Sequence, residues 1–262
     1  MLNGMKGTEI VEVAKEVELE NPILIEGLPG LGMVGRIVVR YLAKSFGAER
    51  LAFLYSPHFP YYVLVNKKGD VRLLRAEFRY LKNKSGKGDL VLLTGDSQAQ
   101  TIEGQYEVAD RILKFAQKLG VKTIVTVGGF RVETEEMPKV MAAATSPELL
   151  EKSVAAGAVA SRAGNPIVGT AGLLLGMAHF RKIDALCLLS ETRGYLPDPK
   201  SAKSVLEVLQ KLLGLGVDLA GLDKEIEKAE QIVVRMRQIE KRRELQARKR
   251  RKLEEEKATY IS

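Results

Sequence analysis

The 262-residue chain lacks tryptophan and has one cysteine and two histidines. Cys187 cannot form a disulfide within the chain, and it lies in the apolar run ALCLLS. We therefore expect it to be a small core residue of a cytoplasmic protein. So few cysteine and histidine side chains argue against a transition-metal site. The sequence also lacks an uncharged apolar run of about 18 residues, so it predicts no membrane-spanning helix.

Apolar strand-like runs alternate with amphipathic segments through most of the chain. This alternation predicts an α/β fold with a mainly parallel sheet between helices on both faces. The turn 66–70 between two strand-like runs predicts an added antiparallel hairpin over residues 62–78. The predicted strands are 23–26, 51–55, 90–94, 123–127 and 185–189, with a further strand near the N-terminus. The predicted helices are about 33–45, 102–119, 147–156, 169–178 and 202–213.

The pattern changes after residue 221, so we expect an α/β domain over residues 1–221 and a C-terminal helical region over 222–262. At the start of this region, apolar residues follow one another at alternating intervals of four and three positions, so they form one stripe along a helix. Such a stripe predicts burial against the body or an oligomerisation contact. Over residues 240–257 only Leu245 and Leu253 are large and apolar, which indicates a projecting arm. The stripe consists of Leu222, Ile226, Ala229, Val233 and Met236.

Positive charge is concentrated in this C-terminal region. The formal net charge is +8, and residues 224–262 contain 13 Lys and Arg against 8 Glu. The basic run 248–252 has the charge to neutralise phosphates. Glu254–Glu256 follow it at once, however, and no aromatic residues interleave for base stacking. A solvated arm of mixed charge is therefore favoured over a nucleic-acid-binding segment.

A G-x-G-x-x-G pattern at Gly30–Gly35 lies between a predicted strand and a predicted helix, as in dinucleotide-binding folds. Such folds also need an acidic residue at the end of the second strand, about 20 residues on. Here Glu49 precedes that strand, which ends at Tyr55 without a carboxylate. We therefore interpret the glycines as permitting close packing, without a bound nucleotide.

Polar residues after the predicted strands offer an enzymatic alternative. Asp96 and Glu191 follow two strands, at the sheet edge where α/β proteins bind ligands. They would form an acid–base pair, or bind a small ligand, if they met. The opposing interpretation is that Asp96 caps the next segment and that Glu191 pairs with Arg193. The second interpretation is favoured because no nucleophile–base pattern accompanies the carboxylates.

Several longer motifs together resemble the proteasome assembly chaperone family, over about residues 23–222 and in the family's order. They are GLPGLGMVGRIVVRYLA, the strand ends at 95–98 and 128–130, GTAGLLLG, and LSETRGYLPDPKSAKSVLEVLQKLLGLGVDLAGL. The similarity is to archaeal homologues of the eukaryotic pair that binds proteasome α subunits. It implies a purine nucleoside phosphorylase-like α/β sandwich and a homo-oligomer, with a tetramer as the first expectation. It implies no cofactor and no enzymatic activity.

The chain ends in Thr259, Tyr260, Ile261 and Ser262. Proteasome activators and eukaryotic relatives of this family end in a hydrophobic residue, tyrosine and one further residue, and this ending enters pockets between α subunits. The resemblance thus implies an ATP-independent chaperone or activator that binds the 20S proteasome through its tail. Here Tyr260 is third from the end, so its register is displaced by one residue. We also expect Leu245 and Leu253 of the arm to contact unfolded chains.

Overall fold

A computed structural model describes residues 6–14, 17–83, 87–133 and 136–232. The chain divides into two compact units, Met1–Leu219 and Ala220–Ser262. Within the described part of the first unit, five α-helices accompany a nine-stranded sheet and a separate two-stranded sheet. This arrangement confirms the mixed α/β class.

The large sheet has the strand order β1-β3-β6-β7-β2-β8-β11-β9-β10. Its centre, β7-β2-β8-β11, is parallel, whereas the pairs β1–β3, β3–β6, β6–β7 and β11–β9 are antiparallel and β9–β10 is parallel. The prediction of a mainly parallel sheet is therefore wrong, because four of the eight pairings are antiparallel. The strands are β1 Glu9–Glu12, β2 Ile23–Glu26, β3 Glu49–Tyr55, β6 Ala76–Leu81, β7 Leu90–Gly95, β8 Thr123–Arg131, β9 Val140–Ala144, β10 Val159–Ala160 and β11 Asp184–Thr192.

Three of the five helices begin at a residue whose side chain caps the first turn. Thr101, Ser146 and Asp198 each accept a hydrogen bond from a backbone N–H of the first turn, as N-cap residues do. Gly214 ends the last helix in the left-handed conformation that favours glycine. The helices are α1 Val34–Ser45, α2 Ile102–Lys118, α3 Pro147–Ala155, α4 Thr170–Phe180 and α5 Pro199–Leu213.

Helices cover both faces of the sheet centre. Helices α1 and α5 pack together over β7, β8 and β11, whereas α2 and α4 pack together on the other face. Leu24 and Ile124, on the parallel strands, are fully buried beneath α2 and α4. Because the central strands are apolar on both faces, the α/β layering follows from their sequence.

The predicted hairpin is present, although it is shorter than expected. Strands β4 Val63–Val65 and β5 Val71–Leu73 form the two-stranded sheet. The chain then leaves the hairpin at Leu74 and Arg75, and the rest of the predicted second strand joins the large sheet as β6.

In the second unit, residues 220–232 are helical. On the predicted apolar stripe, Leu222 is buried and Ile226 and Ala229 are half-buried, while Val233 and Met236 lie outside the described residues. Among the described residues, none of the helices has both the length and the apolar character needed to cross a bilayer.

Candidate functional site at the carboxyl ends of the parallel strands

The glycine turn joins β2 to α1 at the carboxyl edge of the sheet centre. A short 3-10 turn over Leu31–Met33 precedes α1, and Gly32 (φ 59°) and Met33 (φ 52°) both have left-handed backbones. The N–H of Gly32 donates to the carbonyl of Gly194, and the N–H of Met33 donates to that of Gly30. These donors, which a phosphate-binding turn directs at its ligand, are occupied by the protein's own carbonyls.

Two other glycines allow α1 to approach the sheet closely. A Cβ on Gly35 would lie 2.3 Å from the carbonyl oxygen of Val127, and a Cβ on Gly27 would lie 2.1 Å from that of Gly35. Backbone atoms cannot move aside as a flexible side chain can. The interpretation of the motif as close packing is therefore confirmed at Gly27 and Gly35.

The connection after α1 also differs from a dinucleotide-binding unit, in which the second strand lies beside the first. Strand β3 follows α1 in the chain but is separated from β2 by β6 and β7. Glu49 is the first residue of β3, so it lies at the opposite end of that strand from the ribose-binding position.

Asp96 follows β7 and is held by two arginines. Its carboxylate accepts hydrogen bonds from Arg72 Nη1 at 2.6 Å and Arg72 Nη2 at 3.0 Å, and from the Arg75 backbone N–H at 3.1 Å. Burial acts to raise the pKa of Asp96, but these hydrogen bonds outweigh it and hold the pKa below its usual value. Asp96 caps no helix; instead it fixes the hairpin residue Arg72.

Glu191 lies near the end of β11 and does not meet Asp96. Its Oε2 accepts a hydrogen bond from the Lys139 backbone N–H at 2.9 Å. Strands β2 and β8 lie between β7 and β11, so the two carboxylates are about 14 Å apart at about 4.8 Å per strand. The proposed convergence of Asp96 and Glu191 is therefore wrong. Arg193 lies 4.0 Å from Glu133.

The buried carboxylate of this region is Glu26, which the sequence interpretation missed. Its side chain is 1 % exposed at the end of β2, and its Oε1 accepts a hydrogen bond from the Leu28 N–H at 2.9 Å. Burial raises the pKa of Glu26 to about 7, although the Leu28 hydrogen bond acts in the opposite direction. A signal was available in ILIE, where a charged residue follows three apolar ones without the alternation of a half-exposed strand.

A second missed group connects the glycine turn to α4. The side-chain amide of Gln98 donates to the carbonyl of Pro29 at 2.8 Å and accepts from the Thr170 N–H at 3.1 Å. The Thr170 hydroxyl, fully buried, donates to Gln105 at 2.8 Å. All three side chains are paired within the protein, so this network fixes the turn relative to α2 and α4.

The histidines and the cysteine occupy structural positions. His58 is hydrogen-bonded to Glu107 at 3.1 Å and to Thr101 at 3.2 Å, whereas His179 is exposed beside Phe180. Cys187 is fully buried on β11, as expected of a core residue, and burial raises the pKa of its thiol to about 12. The part of the chain that the structure describes contains no cluster of three or more His, Cys, Asp and Glu suited to a metal ion.

The residues predicted to bind the proteasome or to contact unfolded chains all lie outside the described residues. They are Leu245, Leu253, Thr259, Tyr260, Ile261 and Ser262.

Known proteins similar to this chain agree with the fold. An uncharacterized protein of Methanocaldococcus jannaschii is 36% identical over 233 residues, which is 88% of this chain and 89% of the relative. The crystal structure of Pyrococcus furiosus PbaB, an archaeal proteasome activator, matches with a TM-score of 0.85 and 39% identity, over 89% of this chain and 100% of PbaB.

A second solved structure, Pyrococcus furiosus PbaA, is described as an archaeal homolog of proteasome-assembly chaperone. It matches with a TM-score of 0.74 and 30% identity over 93% of this chain and 98% of PbaA. The sequence profile of the PAC2 family matches residues 24–237. These similarities confirm the resemblance found in the sequence motifs, and the chain belongs to the PAC2 family.

Proposed function

We propose that this protein is an ATP-independent, oligomeric chaperone or activator that binds the archaeal 20S proteasome or its α subunits through its C-terminal tail. The observation that carries the proposal is the similarity to PbaB, an archaeal proteasome activator, over the whole length of PbaB. Neither the occupied N–H groups of the glycine turn nor the separated carboxylates favour an enzymatic function.

The tail contact that we propose combines an aromatic anchor with a charge. Tyr260 would pack in a pocket between α subunits, and the carboxylate of Ser262 would accept a hydrogen bond from a cationic side chain of the pocket. Because Tyr260 is third from the end, Ile261 adds one residue between the anchor and the terminal carboxylate.

A pull-down with recombinant archaeal α subunits and with the assembled 20S particle tests the proposal. We expect the full chain to be retained and a chain ending at residue 239 to be lost. Phe180→Ala, which changes a side chain 87% exposed on α4, is a matched surface control and should leave retention unchanged. Failure of the full chain to bind either target would overturn the proposal.

We also propose a homo-oligomer, a tetramer as the first expectation, with the stripe from Leu222 to Met236 contributing to burial between or within subunits. Light scattering at micromolar concentration gives the mass directly. A value at the 28.9 kDa of the monomer would refute oligomerisation.

A further inference from the structure

A groove of about 420 Å3 lies between α1 and the antiparallel part of the sheet. Helix α1 forms one wall, and the end of the hairpin with β6 and β7 forms the other. Five cationic side chains and two carboxylates line it. They are Arg40, Lys44, Arg72, Arg75 and Arg79, with Glu77 and Asp96.

The cations form two rows that face each other. On α1, Arg40 and Lys44 line the groove and are four residues apart, so they lie on one side of the helix about 6 Å apart at 1.5 Å per residue. On the opposite wall, Arg75 precedes β6 and Arg79 lies within it, four residues on, so they span about 13 Å of extended chain. The groove between them suits an elongated anion.

The carboxylates of the groove are already paired with the second row. Asp96 lies 2.6 Å from Arg72, and Glu77 lies 2.8 Å from Arg79 and 3.0 Å from Arg50. On the first row, none of the described acidic residues forms an ion pair with Arg36, Arg40 or Lys44. Asp96 acts on the charge of Arg36, so the positive charges of α1 that no described carboxylate offsets are those of Arg40 and Lys44.

This row is electrostatically unfavourable without an occupant. Like charges four residues apart on a helix destabilise it by about 0.2–0.5 kcal/mol per pair. Burial lowers the pKa of the half-buried Arg36 and the charge of Arg40 lowers it further, while the charge of Asp96 acts in the opposite direction. A cleft lined by one sign of charge also concentrates oppositely charged ligands.

We propose that the groove binds an extended acidic segment of a partner protein, with carboxylates that pair with Arg40 and Lys44. The length of about 13 Å along the opposite wall corresponds to about four extended residues at about 3.3 Å per residue. Apolar atoms of Val39, Ala43 and Leu92 contribute to the lining and suit the side chains between the carboxylates.

The lining disfavours nucleic acid as the occupant. None of the residues that line the groove is aromatic, so the groove offers no ring for base stacking. On the neighbouring strand, one face of the Phe53 ring is already covered by the Arg75 guanidinium at 3.6 Å.

Fluorescence anisotropy with a labelled 12-residue peptide carrying Glu at alternate positions tests the proposal. We expect saturable binding at low salt, and none for the same peptide with Gln in place of Glu. Arg40→Glu/Lys44→Glu should raise Kd at least tenfold. Arg111→Glu/Lys122→Glu changes the net charge equally at exposed positions on the other side of the sheet, and it should change Kd less than twofold.

Three outcomes would overturn the assignment: no saturable binding of the Glu peptide, equal weakening by both double variants, or tighter binding of an oligothymidylate of equal charge that depends on Arg40 and Lys44. The second would mean attraction by net charge alone, and the third a nucleic-acid site. If the reversal variant folds poorly by circular dichroism, Arg40→Gln/Lys44→Gln replaces it, with an expected rise in Kd of about fivefold.

Discussion

At the scale of single residues, Glu26 is the least favourable charge in the described core. A raised pKa means that the folded state binds the proton more tightly than the unfolded state does. The stability due to this group is thus fully present below the ordinary glutamate pKa of 4.5 and is lost as the pH rises through about 7. At about 1.4 kcal/mol per pKa unit, ionised Glu26 costs up to about 3 kcal/mol above pH 7.

We therefore predict that Glu26→Gln increases the free energy of unfolding at pH 8, by up to about 3 kcal/mol, and changes it little at pH 4.5. The amide oxygen can still accept the Leu28 hydrogen bond, so the change removes charge without removing the contact. Urea denaturation at both pH values measures the difference. Glu207→Gln, at an exposed position of α5, should show no such pH dependence; a similar profile for both variants would contradict the role of burial.

Glycine substitutions test whether the turn needs glycine for close packing of α1 against the sheet. Gly35→Ala should lower the free energy of unfolding by about 1–3 kcal/mol, because its Cβ would overlap the carbonyl of Val127. Gly176→Ala is the matched control, since it lies exposed in α4 with no atom within 4 Å of an added Cβ. It should stabilise the protein by up to about 1 kcal/mol through helix propensity. Equal thermal shifts in the two variants would contradict the close-packing interpretation.

At the scale of elements, the sequence predicted the strands of the parallel centre, the helices and the hairpin, but it missed β9, β10 and the separate strand β6. Long apolar runs and helices with a 3.6-residue period identify β2, β7, β8 and β11 and the helices between them. Strand β9 is VMAAA and β10 has two residues, so neither contains the β-branched repeat that marks a strand. Strand order depends on tertiary packing, which is why the sequence alone left open whether Asp96 and Glu191 meet.

The hairpin β4–β5 shows how an element depends on its attachment. An isolated two-stranded sheet is marginal in water. Leu64 and Arg72 face each other in register; Leu64 packs against the core and Arg72 is held by Asp96. The other cross-strand pairs, Val63 with Leu73 and Val65 with Val71, consist of side chains that are exposed.

Loss of the Arg72–Asp96 contact should therefore loosen the hairpin more than the whole protein. Because hydrogen bonds to charged groups contribute about 1.5–3 kcal/mol, we predict that Asp96→Asn accelerates tryptic cleavage after Lys67 and Lys68 about tenfold or more. Mass spectrometry of limited digests locates the cuts. Asp184→Asn, at the exposed start of β11, should leave the cleavage rate unchanged. Unchanged cleavage in Asp96→Asn would show that Leu64 alone holds the hairpin.

At the scale of the whole molecule, the proposed tail contact depends on the number of subunits. One tyrosine anchor with a carboxylate binds weakly, because it must offset the entropy lost on ordering its arm. In an oligomer, docking of one tail raises the effective concentration of the others near adjacent pockets of the proteasome ring. Stimulation of the 20S particle should thus need several tails on one assembly.

The two predicted roles of the arm, proteasome binding and contact with unfolded chains, depend on different residues and can be tested separately. Tyr260→Ala should lower the stimulation of peptide hydrolysis by the 20S particle at least tenfold while leaving suppression of aggregation of an unrelated protein nearly intact. Truncation at Glu240 should lower both, since it also removes Leu245 and Leu253.

Mixed oligomers with a rising fraction of Tyr260→Ala subunits should lose stimulation more steeply than in proportion, because each lost tail weakens the docking of the remaining ones. A linear loss would indicate independent tails, and unchanged hydrolysis in both Tyr260→Ala and a chain lacking Ser262 would eliminate the anchor.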